Sequence, residues 1–107
     1  MTEPAFTLKA SSVGGRRLDV AGELDLAASS TLRAALAELA DGDGDVMVDL
    51  SAVTFIDSTA LRVLVHAHAE MGSAGGRLVV TDPSPVVVRI LHLAGLFTLL
   101  DIDGNVE

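Results

Sequence analysis

Apolar and polar residues alternate over two short stretches near the start of the chain. Phe6, Leu8 and Ala10 alternate with Thr7 and Lys9, and Leu18 and Val20 alternate with Arg17 and Asp19. A period of two marks a strand with one face buried, so Phe6 to Val13 and Arg16 to Gly22 are expected strands. Gly14-Gly15 lies between them and supplies the positive φ angles that a tight hairpin turn needs. The period then changes. From about Ser29 to Ala40, Leu32, Leu36 and Leu39 fall at helical spacing. Ser29, Ser30 and Thr31 are candidate caps, and Asp41-Gly42-Asp43-Gly44 ends the helix.

Val46 to Leu50 is apolar apart from Asp49, the pattern of a central strand buried on both faces. Ser51 to Asp57 is expected to be a connection. Ser58 opens a second helix to about Met71, with Leu61, Leu64 and Val65 facing inward and Gly72, Gly75 and Gly76 closing it. Arg77 to Thr81 is another buried strand. Pro83 and Pro85 mark the next turn and helix start, because proline is tolerated in a first turn. That helix runs to about Ala94, with Gly95 as its C-terminal stop. Leu99 to Ile102 is a last short strand, and Asp103 to Glu107 is expected to fray.

The order is β-β-α-β-α-β-α-β. Strands alternating with helices imply an α/β fold: a mixed, mostly parallel sheet with the opening hairpin as its antiparallel edge and helices packed on it. Residues 1–107 are expected to form one domain with a core from about 5 to 102.

Composition narrows the function. Half of the 107 residues are hydrophobic, with three Phe and no Trp or Tyr, so the core is aliphatic. Seven basic residues against fifteen acidic ones give a net charge of −8. Binding nucleic acid needs clustered Lys and Arg on the phosphates, and an anionic membrane surface is disfavoured on the same ground. The absence of cysteine excludes disulfides, thiolate catalysis and Cys-type zinc sites. The N-terminus lacks a signal-peptide pattern, and no stretch reaches the ~18 apolar residues of a membrane span. The expectation is a soluble, cytoplasmic monomer that binds no cofactor.

The chemistry concentrates in Phe55-Ile56-Asp57-Ser58-Thr59-Ala60-Leu61. It follows a buried strand and opens a helix, and sites in such sheets gather at the carboxyl ends of strands. Read as the N-cap, Ser58 would hold its hydroxyl beside unpaired backbone N–H groups at the positive end of the helix dipole. A phosphate there could accept hydrogen bonds from the first turn. It would add about −1.5 to −2 charges next to Asp57 and repel a partner packed over the helix start. Taken alone, a serine before an apolar helix is usually only a cap.

The run resembles the STAS domain, specifically the bacterial anti-sigma factor antagonists, whose pattern is Asp-Ser-Ser/Thr-Gly-Leu entering a helix. Gly22-Glu23-Leu24-Asp25 is similar to the family's Gly-Glu-Leu-Asp segment, and Leu93-Ala94-Gly95-Leu96-Phe97 to its small-Gly-Leu-Phe ending of the third helix. The resemblance implies a non-enzymatic anti-anti-sigma factor, a partner-switching phosphoprotein of transcription regulation and stress response. Unphosphorylated, such proteins bind an anti-sigma factor that is also a serine kinase and so release the sigma factor. The kinase inactivates them at the serine after the Asp, here Ser58, and a serine phosphatase restores them. The matching contact surface comprises Glu23, Asp25, Asp57, Ser58, Thr59, Ala60 and Leu61. Two features depart from the pattern. Ala60 replaces the usual Gly, placing a methyl where a partner backbone would approach, and the sequence stops soon after the last expected strand, where many members carry a further helix. Thr59 offers a second hydroxyl.

Two other readings stand beside this one. A STAS module can instead serve as a subunit of a membrane lipid-transport ATPase complex. A small enzyme or receiver domain could use Asp57 as its reactive carboxylate, but a receiver needs a late lysine and the only lysine is Lys9. His66 and His68 sit about 200° apart on a helix and cannot share a metal; His92 lies elsewhere, so no metal site is expected.

Overall fold

The computed structural model describes residues 5–12, 15–40, 44–97 and 100–103. The elements are β1 (Phe6–Ser11), β2 (Arg16–Leu24), α1 (Leu26–Ala40), β3 (Val46–Ile56), α2 (Ser58–Ser73), β4 (Leu78–Thr81), α3 (Pro85–Leu93) and β5 (Asp101–Asp103). They form a five-stranded sheet in the order β1-β2-β3-β4-β5. The β1–β2 pair is antiparallel and the remaining pairs are parallel. This is the architecture and element order that the hydrophobic pattern implies. Val13, Gly14, Asp41 to Asp43, Leu99 and the expected frayed end beyond Asp103 lie outside the described residues.

Alternation along the strands builds the core. Leu18 and Val20 of β2, Val46, Val48 and Leu50 of β3, and Leu78 and Val80 of β4 are all buried. They meet Leu32 and Leu36 of α1, Leu61 and Leu64 of α2, and Val87 and Leu91 of α3 in one aliphatic cluster. Each such side chain contributes about 1.5–3 kcal/mol when removed from water. Val65 is only half-buried and packs against this cluster from its edge.

Two boundaries and one burial pattern depart most from expectation. β3 extends to Ile56, so Ser51 to Ile56 is strand and not connection. The cause is a pair of register shifts against β2, between Asp19 and Ala21 and between Gly22 and Glu23. Each puts an extra β3 residue opposite β2 and breaks the period of two. β3 is also not buried on both faces: Met47 and Asp49 are partly exposed. Asp49 accepts from Arg17 Nη2 at 2.5 Å, and Arg17 Nε reaches Asp19 at 2.7 Å. Finally, α1 starts at Leu26, three residues before Ser29. Asp25 Oδ1 accepts from the Ala27 N–H at 3.1 Å and takes the capping place. Ser29 is buried inside the helix, its hydroxyl donating to the Leu26 carbonyl at 2.8 Å.

Two glycines are required by geometry. Gly22 has φ +92°, and a Cβ there would lie 2.2 Å from the Ala5 carbonyl oxygen. Gly95, at φ +72°, follows the last turn of α3. There the Gly95 and Leu96 N–H groups return to the carbonyls of His92 and Leu91 at 3.1 and 2.9 Å, closing the helix as a left-handed residue allows.

Candidate functional site

The carboxyl ends of β2 and β3 lie side by side. Glu23 is opposite Phe55 and Leu24 opposite Ile56, and the Asp57 N–H donates to the Leu24 carbonyl at 3.0 Å. Each strand then turns directly into a helix through one aspartate, Asp25 into α1 and Asp57 into α2. Two helix N-termini are thereby set next to each other.

Asp57, and not Ser58, is the N-cap of α2. Its backbone is extended, with φ −108° and ψ −180°. Its Oδ1 accepts from the Thr59 N–H at 3.0 Å, the Ala60 N–H at 3.1 Å and the Thr59 hydroxyl at 2.5 Å. The Thr59 hydroxyl, followed by the Ala60 amide, holds the carboxyl below its ordinary value of 3.8; partial desolvation opposes them, and the Thr59 and Leu26 amides add to the lowering. Asp57 therefore stays ionised at neutral pH. The sequence offers three capping residues in a row, Asp57, Ser58 and Thr59, and capping preference alone does not choose among them.

Ser58 becomes the first helical residue and is exposed. Its hydroxyl makes no hydrogen bond to any described residue. The Thr59 and Ala60 amides, two of those expected to cradle a phosphate, are already taken by the Asp57 side chain. Thr59 is half-buried, and its hydroxyl is held by Asp57.

The other expected site residues separate into two groups. Glu23 is exposed and Asp25 half-buried, both at the same end of the sheet as Ser58. Ala60 is fully buried in the core at 0% exposure. Its methyl points away from solvent, so the expectation that it meets a partner is corrected. Leu61 belongs to the core as well, yet one edge of it lines a shallow depression with Ser58, Arg62, Val65, Ala94 and Leu96.

Sequence reasoning missed two apolar contributors. Leu26 is 70% exposed at the start of α1, and Phe55 is 46% exposed at the end of β3. Both flank the Asp57–Ser58 step through the neighbouring strand ends. Leu26 carried no such signal, because the start of α1 was read at Ser29 and the capping role of Asp25 emerges only from the structure.

The histidines do not converge. His66 pairs with Glu70 at 2.7 Å on the exposed face of α2, and His92 stacks on Phe97 with ring centroids 4.0 Å apart. The His68 Nδ1 is buried without a hydrogen-bond partner among the described residues. No group of three or more His, Cys, Asp or Glu among the described residues could hold a metal ion. No described helix is long and apolar enough to cross a membrane.

Known proteins resemble the chain in sequence and in fold over most of its length. A family model described as "Mlab, STAS domain" matches residues 9–101. The anti-sigma-B factor antagonist of Bacillus subtilis is 31% identical over 91 residues, which cover 85% of this chain and 84% of that protein. The anti-sigma-F factor antagonist RsfB of Mycobacterium tuberculosis is 36% identical over 80 residues, 74% of this chain and 65% of that one. The crystal structure of an anti-sigma factor antagonist from Mycobacterium paratuberculosis superimposes with a TM-score of 0.81 at 28% identity, covering 96% of this chain and 90% of that one. By sequence and by fold over nearly its whole length, the chain belongs to the STAS-domain family of anti-sigma factor antagonists.

Proposed function

We propose that the chain is a cytoplasmic, non-enzymatic switch protein that binds an anti-sigma factor with serine kinase activity while Ser58 is unmodified. Binding releases the sigma factor. Phosphorylation of Ser58 by that kinase inactivates the chain, and a serine phosphatase restores it. The observation that carries this reading is the division of labour at the start of α2. Asp57 caps the helix, Thr59 spends its hydroxyl on Asp57, and Ser58 is left exposed with an unengaged hydroxyl. A kinase can therefore modify Ser58 without uncapping the helix.

The chemistry of inactivation follows from the surroundings. The partner covers the unmodified helix start through Leu26, Phe55, the edge of Leu61 and the polar residues Glu23 and Asp25. Transfer from ATP forms the Ser58 Oγ–phosphorus bond as the bond to the ADP oxygen breaks, and the hydroxyl proton passes to the kinase. The product carries about −1.5 to −2 charges beside the ionised Asp57. Closing the interface again would desolvate adjacent like charges, and no fold change is needed to break it.

Incubation with ATP and extract from the native host, followed by intact-mass and peptide mapping, tests the assignment. The expected result is one phosphoryl group on Ser58 of the wild type and none on Ser58→Ala. Equal labelling of Ser58→Ala, or labelling confined to Thr59, contradicts it.

A further inference from the structure

Arg62 lies four residues after Ser58 on α2, so the two side chains are neighbours on one face of the helix. Both are exposed, and both line the depression whose remaining walls, Leu61, Val65, Ala94 and Leu96, are uncharged. Arg62 forms no ion pair among the described residues, whereas Arg17 and Arg77 are each paired with aspartates. Its helical neighbours supply no acid: Thr59 and Val65 are neutral, and His66 is engaged by Glu70. Asp57 directs its carboxylate at the Thr59 and Ala60 amides.

We propose that Arg62 is the counter-ion of phosphorylated Ser58, closing an i,i+4 ion pair across the depression. This rests on the reading that Ser58 is the phosphorylated residue. The anion lies N-terminal to the cation, the favourable order on a helix. The guanidinium fork matches phosphate oxygens, and Asp57 has already taken the Thr59 and Ala60 amides that would otherwise compete for them. The pair draws Arg62 over the apolar floor of Leu61, Val65 and Leu96 and so changes the shape of the surface as well as its charge.

The test uses full-length protein with phosphoserine installed genetically at position 58, so that no kinase is involved. The second ionisation of the phosphate, ordinarily near pH 6, is followed by phosphorus NMR. Arg62→Gln is expected to raise its pKa by about 0.3 unit relative to wild type, and Arg62→Lys by less. Arg77→Gln, at the far end of the sheet, is expected to leave it unchanged. Superimposable titrations of wild type and Arg62→Gln, or an equal shift in Arg77→Gln, overturn the pairing. Failure of kinase labelling at Ser58 would instead overturn the function proposed above and leave this titration intact.

Discussion

Asp57 accepts three hydrogen bonds at the start of α2 while the adjacent Ser58 hydroxyl accepts none from the described residues. Substitution should expose that asymmetry. Asp57→Ala is expected to cost about 1 kcal/mol through the lost cap, whereas Ser58→Ala should stay within about 0.5 kcal/mol of wild type in urea denaturation. The pH dependence has a definite sign. The Asp57 carboxyl titrates below its ordinary 3.8 in the folded chain, so the unfolded chain binds the proton more readily there. Its stabilisation is complete above that value and is lost as pH falls through the depressed folded value. Because the group is solvent-accessible, the effect is small. Wild type minus Asp57→Asn stability should therefore shrink below about pH 4, as followed by denaturation at stepped pH; a difference that grows on acidification contradicts the cap.

Elements were legible where periodicity was clean and obscure where geometry broke it. The hairpin strands, the helix carrying Leu61 and Leu64, and the buried run Leu78–Thr81 all follow from apolar spacing. β3 did not, because its two register shifts against β2 replace the alternation with paired exposed residues, Ser51-Ala52 and Thr54-Phe55. The start of α1 was obscured in the same way: Ala27 and Ala28 carry no periodic signal, so the serines beyond them looked like caps. Gly22 lies at one of the register shifts, against the Ala5 backbone. Gly22→Ala is expected to destabilise by about 2 kcal/mol or more, from a positive φ combined with a contact no Cβ can keep. The urea midpoint measures this, and an unchanged midpoint would mean that β1 does not pack there.

At the scale of the molecule, one aliphatic core fixes three helices against the sheet and presents the starts of α1 and α2 side by side. Leu64→Ala, at 0% exposure in that core, is expected to cost about 2–5 kcal/mol. The site was legible as a run of residues, Asp57 to Leu61, but not as a surface. Sequence could not tell that Ala60 turns inward, that Asp57 displaces Ser58 as cap, or that Leu26 and Phe55 stand exposed beside them. Those facts depend on which turn of the helix comes first, and the bulged register of β2 and β3 sets that.

The partner switch at Ser58 is tested most directly by a native-host pull-down with wild type, Ser58→Ala and Ser58→Asp baits, quantified by mass spectrometry. The account predicts that wild type and Ser58→Ala capture an anti-sigma kinase and that Ser58→Asp does not. If all three retain the same membrane ATPase subunits, or if none captures a kinase, Ser58 is a bystander and the chain serves another STAS role, such as the lipid-transport one.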